Sequence, residues 1–204
     1  MRQPTGFLSI LVLGFASTII FGSPSRAIPI TYIEQAIATG SLGGVGFTNA
    51  NMILSMTGDT TDVTDEPTTF FNFGTLTVNV AGIGLATFTD STSVAANQAA
   101  LDVGFADHTK GSAILFTSNP LLSAYDLSTA TGPLLGTASY NAGLPFLTTD
   151  GLFVLNSISD SVTFIATTGI PEPTALALMS VALGGLAGIG LIRRRRGFAK
   201  KRSL

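Results

Sequence analysis

The sequence contains no cysteine, no tryptophan and a single histidine, and each of these shortages narrows the possible functions. Without cysteine, disulfide bonds, cysteine-ligated zinc or iron–sulfur sites and a catalytic thiol are all excluded. A lipid-modified bacterial N-terminus is excluded as well, because it requires a cysteine at the cleavage site. With no tryptophan and three tyrosines, aromatic platforms for stacking sugar rings are scarce in the sequence.

Basic residues are almost missing from the middle of the chain. Between residues 28 and 170 the only base is Lys110, against eleven acids, so this stretch carries a net charge of about −10. Nucleic-acid binding needs clustered Lys and Arg to neutralise phosphates, so nucleic acid is not an expected partner of the body. The last twelve residues have the opposite character, with seven bases and no acid.

The sequence shows no recognisable set of catalytic residues. The single histidine, His108, lies in the segment Asp107–Gly111, and no Gly-x-Ser-x-Gly nucleophile elbow is present to pair with it. We interpret His108 as part of a polar turn between two strands. We expect no catalytic residues, no cofactor and no enzymatic activity. A secreted carbohydrate-active enzyme that uses two of the scattered acids is the alternative.

Four carboxylates crowd one short segment of the body: Asp59, Asp62, Asp65 and Glu66. Calcium takes oxygen ligands of this kind, which makes the segment a weak candidate metal site. The spacing is not that of an EF-hand loop, and a central glycine is missing. We therefore expect a solvated acidic loop without a metal.

The first 27 residues have the three parts of a secretory signal peptide. Arg2 supplies a positive start, and residues 7–21 form an uncharged, largely apolar run that is short for a membrane span. Gly22, Ser23 and Pro24 interrupt this run, and Ser25 and Ala27 place small residues at the −3 and −1 positions. We expect cleavage after Ala27; an uncleaved anchor helix is the alternative.

Near the other end, residues 174–192 form a second uncharged apolar stretch. Nineteen residues of helix would span roughly 28 Å, which matches the hydrocarbon core of a bilayer. Four arginines, Arg193, Arg194, Arg195 and Arg196, follow at once. Under the positive-inside rule these arginines keep the C-terminus cytoplasmic and the body outside, in agreement with the signal peptide.

The tripeptide Pro171–Glu172–Pro173 stands immediately before this predicted membrane helix. Neither proline has an N–H, and each disfavours helix in the residue before it, so the segment is predicted to be extended and exposed. Such a strand-like segment at the membrane surface is a suitable substrate for a membrane-embedded processing enzyme.

The end of the chain resembles the PEP-CTERM sorting signal of Gram-negative and cyanobacterial exported proteins. The resemblance lies in the order of three parts: Pro171–Glu172–Pro173, one spanning helix and Arg193–Arg196. The resemblance covers about 30 of the 204 residues. It implies recognition by an exosortase, a membrane protease or transpeptidase, with cleavage near the motif. It also implies a final place at the cell surface or in the extracellular matrix, with extracellular polysaccharide as a further candidate partner.

The sequence fits two other kinds of membrane anchor less well. The Gram-positive sortase pattern requires Leu-Pro-x-Thr-Gly, and the nearest approach, in residues 144–148, has its threonine one place late and lies far upstream. A permanent single-pass anchor with an accidental Pro-Glu-Pro remains the alternative. The predicted organisation is therefore a signal peptide (1–27), an extracytoplasmic β domain (28–168) and a sorting signal (169–204) with its motif, its lipid-embedded helix and a basic cytoplasmic tail.

The body itself has the pattern of an all-β domain. Residues 75–80 alternate polar and apolar side chains, as a half-buried strand does, and residues 101–106 and 161–164 do the same. Turn-forming groups separate such runs, for example at residues 40–46, 141–143 and 150–151. Short strands at this spacing favour an antiparallel sandwich or a jelly roll. Only residues 95–101 show a weak helical stripe, and residues 125–133 are predicted to be a strand leading into a Gly–Pro turn.

Overall fold

The computed structural model describes residues 27–169. Residues 1–26 of the predicted signal peptide lie outside this range. So do Pro171, Glu172 and Pro173, the predicted helix at 174–192 and the basic tail with Arg193–Arg196. Among the described residues, no helix has the length and apolar character to cross a bilayer.

Twelve strands make up about two thirds of the described chain. In order they are β1 (Pro29–Leu42), β2 (Val45–Asp59), β3 (Thr64–Glu66), β4 (Thr69–Gly74), β5 (Leu76–Val80), β6 (Gly84–Thr87), β7 (Thr92–Asn97), β8 (Asp102–Asp107), β9 (Ser112–Ser118), β10 (Thr131–Ser139), β11 (Pro145–Thr148) and β12 (Gly151–Thr168). One short 3-10 turn, Pro120–Leu122, follows β9. The prediction of an all-β body is confirmed.

All strand pairs are antiparallel and belong to one continuous sheet. Its order is β3-β4-β7-β8-β9-β10-β12-β1-β2-β5-β6, and β11 pairs with β12 beside this path. This arrangement is not a sandwich of two separate sheets, because one strand, β10, belongs to both halves. That strand pairs with β9 through residues 137–139 and with β12 through residues 131–136, so it joins the two halves of the sheet.

The sheet curls so that its two halves face each other across the core. Tyr32 on β1 is hydrogen-bonded to Asn72 on β4, and Glu34 on β1 is hydrogen-bonded to Thr117 on β9. These partners lie at distant places in the strand order, so the bonds cross the space between the halves. We call the part with β4, β7, β8 and β9 the groove half, because a groove lies on its outer face.

Alternation along strands such as β1 and β5 separates the core from the surface. In β5, Leu76, Val78 and Val80 are buried whereas Thr77 and Asn79 face outward, as the sequence predicts. The largest fully buried side chains come from both halves of the sheet: Tyr32, Phe105, Phe146, Phe153, Phe164, Ile30, Leu42, Met52, Leu54, Met56, Leu76 and Ile114. Each such side chain contributes about 1.5–3 kcal/mol through its removal from water, so one core of this kind can stabilise the domain without disulfides.

The two ends of the strand order are protected in different ways. At one end, β3 is only three residues long and carries Asp65 and Glu66, and charge on a short edge discourages pairing with another chain. At the other end, residues just after β6 meet β11: Phe88 pairs with Thr148, and Thr149 N donates to Thr87 O. The curled sheet is therefore partly closed on that side.

Two local predictions were wrong. The weak helical stripe at residues 95–101 is the end of β7 followed by a turn, because residues 95 and 96 are buried within paired strands. The strand and Gly–Pro turn predicted at residues 125–133 are reversed: residues 125–130 are a loop that buries Tyr125 and Leu127 in the core, and Gly132 and Pro133 lie within β10. Asp126 Oδ1 accepts hydrogen bonds from the backbone N and the hydroxyl of Ser128, and such local bonding competes with strand pairing.

Candidate functional site

The outer face of the groove half carries three rows of side chains that run across its strands. Residues directly opposite one another in an antiparallel sheet share a face, so the strand register defines each row. The polar row comprises Thr69, Asn97, Asp102 and Ser118. The aromatic row comprises Phe71, Ala95, Gly104, Phe116 and Ser139. The third row comprises Phe73, Ser93, Ala106 and Ala113.

A groove results from the order of side-chain sizes in the aromatic row. Phe71 and Phe116 stand on β4 and β9, and between them lie the small residues Ala95 and Gly104. The concavity over these residues has a volume of about 490 Å³. Its members include Phe71, Ala95 and Phe116, together with polar side chains at both ends. We call it the outer groove.

Gly104 fixes the position of the Phe116 ring. A side-chain carbon at this position would lie 2.8 Å from the ring carbon Cγ of Phe116 and would also collide with the carbonyl oxygen of Leu115. Because glycine leaves this space free, β9 approaches β8 closely and the Phe116 ring lies against the backbone of β8. The groove therefore has an aromatic wall on a tightly packed base.

One end of the outer groove is polar. Asn97 Oδ1 accepts hydrogen bonds of 3.0 Å from the backbone nitrogens of Ala99 and Ala100, which fixes the orientation of the side chain. Its amide nitrogen makes no hydrogen bond to another described residue and is available to a ligand. Opposite it, burial raises the pKa of the Asp102 carboxyl, which accepts hydrogen bonds when ionised and can donate one when protonated.

The other end of the groove contains His108. As predicted, this histidine lies in the turn between β8 and β9. Its ring centroid also lies 4.9 Å from that of Phe73 and 6.1 Å from that of Phe71, both in edge-to-face geometry. Aromatic pairs in this geometry attract one another, so His108 extends the aromatic wall formed by β4.

A partly buried cluster of one lysine and two carboxylates lies behind this end of the groove. Asp107 is fully buried, and its Oδ1 accepts a 2.9 Å hydrogen bond from the backbone nitrogen of Lys110. The Lys110 ammonium lies 3.5 Å from Asp107 Oδ2 and 3.3 Å from Asp90 Oδ2, and it donates to the Pro145 carbonyl oxygen. Lys110 is the only Lys or Arg in residues 27–169 and is shared by two carboxylates, so this part of the chain places no free lysine or arginine beside the groove.

The carboxylates of the weak candidate metal site, Asp59, Asp62, Asp65 and Glu66, do not converge on one point. Asp59 Oδ1 accepts hydrogen bonds from the backbone N and the hydroxyl of Thr61, and these bonds lower the pKa of Asp59. Asp62 lies in the following turn, whereas Asp65 and Glu66 are successive residues of β3 and therefore point to opposite faces. Within residues 27–169, no three acidic or histidine side chains lie close enough together to hold a metal ion.

Sequence reasoning missed the groove because its members are far apart along the chain. Phe71, Asn97, Asp102 and Phe116 come from four strands, and only the strand order brings them together. The single local signal was the pair of small residues Ala95 and Gly104 in neighbouring strands, which leaves room on the outer face of the sheet.

No family model matches the chain, and neither the curated proteins nor the solved structures include a significant match to it.

Proposed function

We propose that this chain is an exported protein of the PEP-CTERM type, processed at its C-terminus and deployed at the cell surface or in the extracellular matrix. In this proposal the signal peptide directs export, Pro171–Glu172–Pro173 is the segment that an exosortase recognises, and the helix at 174–192 holds the precursor in the lipid. Arg193–Arg196 keep the tail cytoplasmic while the body stands outside.

The observation that carries the proposal is where the fold ends relative to the motif. The last strand, β12, ends at Thr168, and the backbone nitrogen of Gly169 donates a 2.8 Å hydrogen bond to the carbonyl oxygen of Pro29 at the start of β1. Pro171 follows two residues later. A cut near the motif would therefore remove no strand and no core residue, and the released body would keep its whole sheet.

The start of the fold is consistent with the same processing. Cleavage after Ala27 would leave Ile28 as the first residue, one position before β1 begins at Pro29. Both expected cuts then flank one complete domain, whose first and last strands are neighbours in the sheet. The two facing halves of the curled sheet are consistent with an antiparallel sandwich-like or jelly-roll-like body.

We further propose that the body is a non-catalytic binding or structural module. The two acids that line the outer groove, Asp102 and Asp107, stand at the two ends of β8, which places them roughly 16 Å apart along the strand. A glycosidase pair needs carboxylates about 5–9.5 Å apart, and Asp107 is already bound to Lys110. This spacing favours binding over hydrolysis in the groove.

Processing can be tested with a tag in the body and cell fractionation in a host that makes an exosortase. We expect the wild-type body to leave the membrane fraction in a shortened form, and the Glu172→Ala variant to remain full-length in the membrane. Glu66→Ala is the matched control, because it removes an exposed glutamate from the edge strand β3 and leaves the motif intact.

Two results would contradict the proposal. If wild type and Glu172→Ala both stay full-length in the membrane of such a host, the C-terminal segment is a permanent anchor. If N-terminal sequencing of the exported protein starts at Met1 instead of Ile28, the N-terminal helix is an anchor and the predicted cleavage is wrong.

A further inference from the structure

We propose that the outer groove binds a neutral saccharide, with a sugar ring between Phe71 and Phe116 and its hydroxyl groups directed toward Asn97 and Asp102. This inference deepens the proposed binding role of the body, on which it rests, by naming the ligand class and the site. It does not depend on whether the C-terminal segment is processed.

The walls and floor of the groove suit the apolar face of a sugar ring. Phe71 and Phe116 present aromatic carbon from opposite sides, and Ala95 forms part of the floor at only 4% exposure. The C–H face of a pyranose is apolar, and covering it with aromatic carbon removes apolar surface from water on both partners. In this chain, which has no tryptophan, the two phenylalanines therefore supply the aromatic platforms for the sugar ring.

The polar row suits the hydroxyl edge of the same ring. Asn97 offers an amide donor, Asp102 an acceptor, and Thr69 a hydroxyl that can do both. A mixture of donors and acceptors along one side of the groove matches sugar hydroxyls, which can each donate and accept a hydrogen bond. The row and the aromatic wall lie along adjacent positions of the same strands, so one ring can contact both.

The dimensions of the groove suit a linear chain of sugars. From the polar row to the third row the groove follows β8 for about 13 Å, from Asp102 to Ala106. Beyond Ser112 it meets a shallower depression of about 520 Å³, formed by Tyr140 and the following loop. A short oligosaccharide can therefore extend from the groove along this face of the sheet.

Charge selects against anionic ligands. The groove carries the Asp102 carboxyl, the buried Asp107 stands at its other end, and the Lys110 ammonium is occupied by Asp90 and Asp107. Uronates, sulfated sugars and phosphates would meet carboxylates without a compensating cation. The saccharide is therefore a neutral one.

The sheet also disfavours an extended peptide as the ligand. Peptides commonly add to a sheet through its edge, where backbone N–H and C=O groups are free. In the polar and aromatic rows beneath the groove, each residue of β4, β7, β8 and β9 pairs with a strand on both sides, so the backbone there offers no such groups. Recognition must come from side chains on the face, which is how a sugar ring would be held.

The test uses the purified full chain in lauryldimethylamine oxide, a detergent without a sugar head group. Titration calorimetry would follow the binding of cellotriose, maltotriose and chitotriose, with tri-galacturonate as the anionic comparison. We expect measurable binding of at least one neutral trisaccharide and weaker binding of tri-galacturonate. For the best ligand, Phe116→Ala and Asp102→Asn should each raise Kd about tenfold, the change that corresponds to one good contact.

Two further variants separate the groove from general effects on folding. Ala95→Met places a side chain in the floor and should raise Kd at least tenfold while the far-ultraviolet circular dichroism spectrum stays that of a β protein. Leu85→Ala is the control, since Leu85 is 61% exposed on β6, outside the groove, and its loss should leave Kd unchanged.

Three outcomes would overturn the inference. These are no binding of any neutral trisaccharide by the folded chain, binding that Phe116→Ala and Ala95→Met leave unchanged, and a preference for tri-galacturonate. Saccharide binding together with a precursor that is never processed would overturn only the proposed sorting, and processing without saccharide binding would overturn only this inference.

Discussion

Thr117 Oγ1 donates a 2.8 Å hydrogen bond to Glu34 Oε1 across the middle of the core, joining β9 of one half of the sheet to β1 of the other. Glu34 is fully buried, and its second oxygen, Oε2, has no hydrogen-bond partner among the described residues. Burial raises the pKa of the Glu34 carboxyl well above its usual value, and the bond from Thr117 only partly opposes this effect.

The stability of the body should therefore fall as pH rises above about 4.5, the pKa of an unperturbed glutamate. In the unfolded chain Glu34 ionises above that pH, whereas the folded state keeps the proton until its own higher pKa, so each pH unit between the two favours unfolding by up to about 1.4 kcal/mol. We expect urea midpoints to decrease from pH 4.5 toward neutral pH in the wild type.

Glu34→Gln should flatten this dependence, because the amide remains neutral at every pH while its oxygen can still accept from Thr117. Asp65→Asn, which removes an exposed carboxylate from β3, controls for the change in net charge and should keep the wild-type slope. An equal pH slope in wild type and Glu34→Gln would show that Glu34 is not the group responsible.

Tyr32 and Asn72 form a second buried polar contact between the halves. Tyr32 Oη donates to the Leu127 carbonyl oxygen at 2.7 Å and accepts from Asn72 Nδ2 at 3.0 Å. Burial raises the pKa of the Tyr32 phenol to about 12, so it stays neutral and keeps its proton for Leu127.

Tyr32→Phe should lower the free energy of unfolding by about 1–3 kcal/mol, because it leaves the Leu127 carbonyl without its donor in the core. Tyr140→Phe is the matched control, since the Tyr140 hydroxyl makes no hydrogen bond to another described residue. Urea unfolding of both variants measures the difference, and equal effects would mean that the buried hydrogen bonds contribute nothing to stability.

Gly104→Ala should destabilise the body by about 2 kcal/mol or more, because the added carbon collides with the Leu115 carbonyl and the Phe116 ring. Gly46 provides the comparison within another strand. An added carbon there would find its nearest neighbour, the Gly40 carbonyl oxygen, at 3.9 Å, so Gly46→Ala should be neutral or slightly stabilising. Thermal unfolding of the two alanine variants checks this, and similar melting temperatures would contradict the close approach of β8 and β9.

Lys110→Met should lower the free energy of unfolding by about 1–3 kcal/mol, because it leaves the buried Asp107 carboxylate without its cation. The value is below that of a fully buried pair since the Lys110 side chain is 31% exposed to water. Chemical denaturation at neutral pH is the measurement.

The double variant Lys110→Met/Asp107→Asn tests the cause of that loss. The amide introduced by Asp107→Asn would keep an acceptor for the backbone nitrogen of residue 110 but would carry no charge, so much of the stability lost in Lys110→Met should return. If the double variant is no more stable than Lys110→Met, the loss comes from the contacts of the lysine with Pro145 and the Phe146 ring instead.

Prediction from sequence worked where side-chain alternation decides the structure. The strand at residues 76–80 and the turn around His108 were both predicted, because a half-buried strand repeats every two residues and polar residues mark its ends. It failed for residues 125–130, where apolar residues also alternate but the hydrogen bonds from Ser128 to Asp126 favour a loop.

The sequence by itself determined the chemistry available to this protein: no thiol, one histidine, an acidic body with a single lysine, and a Pro-Glu-Pro tripeptide between that body and an apolar stretch. The composition and the order of residues along the chain are enough for such conclusions, since these conclusions do not depend on which strands are neighbours. Only the tertiary structure brought Phe71 and Phe116 to opposite walls of one groove and set Glu34 against Thr117 in the core. Contacts of this kind join residues that are far apart along the chain; Glu34 and Thr117 are separated by 83 positions. Such contacts are decided by strand order and register, which the alternation of side chains does not encode.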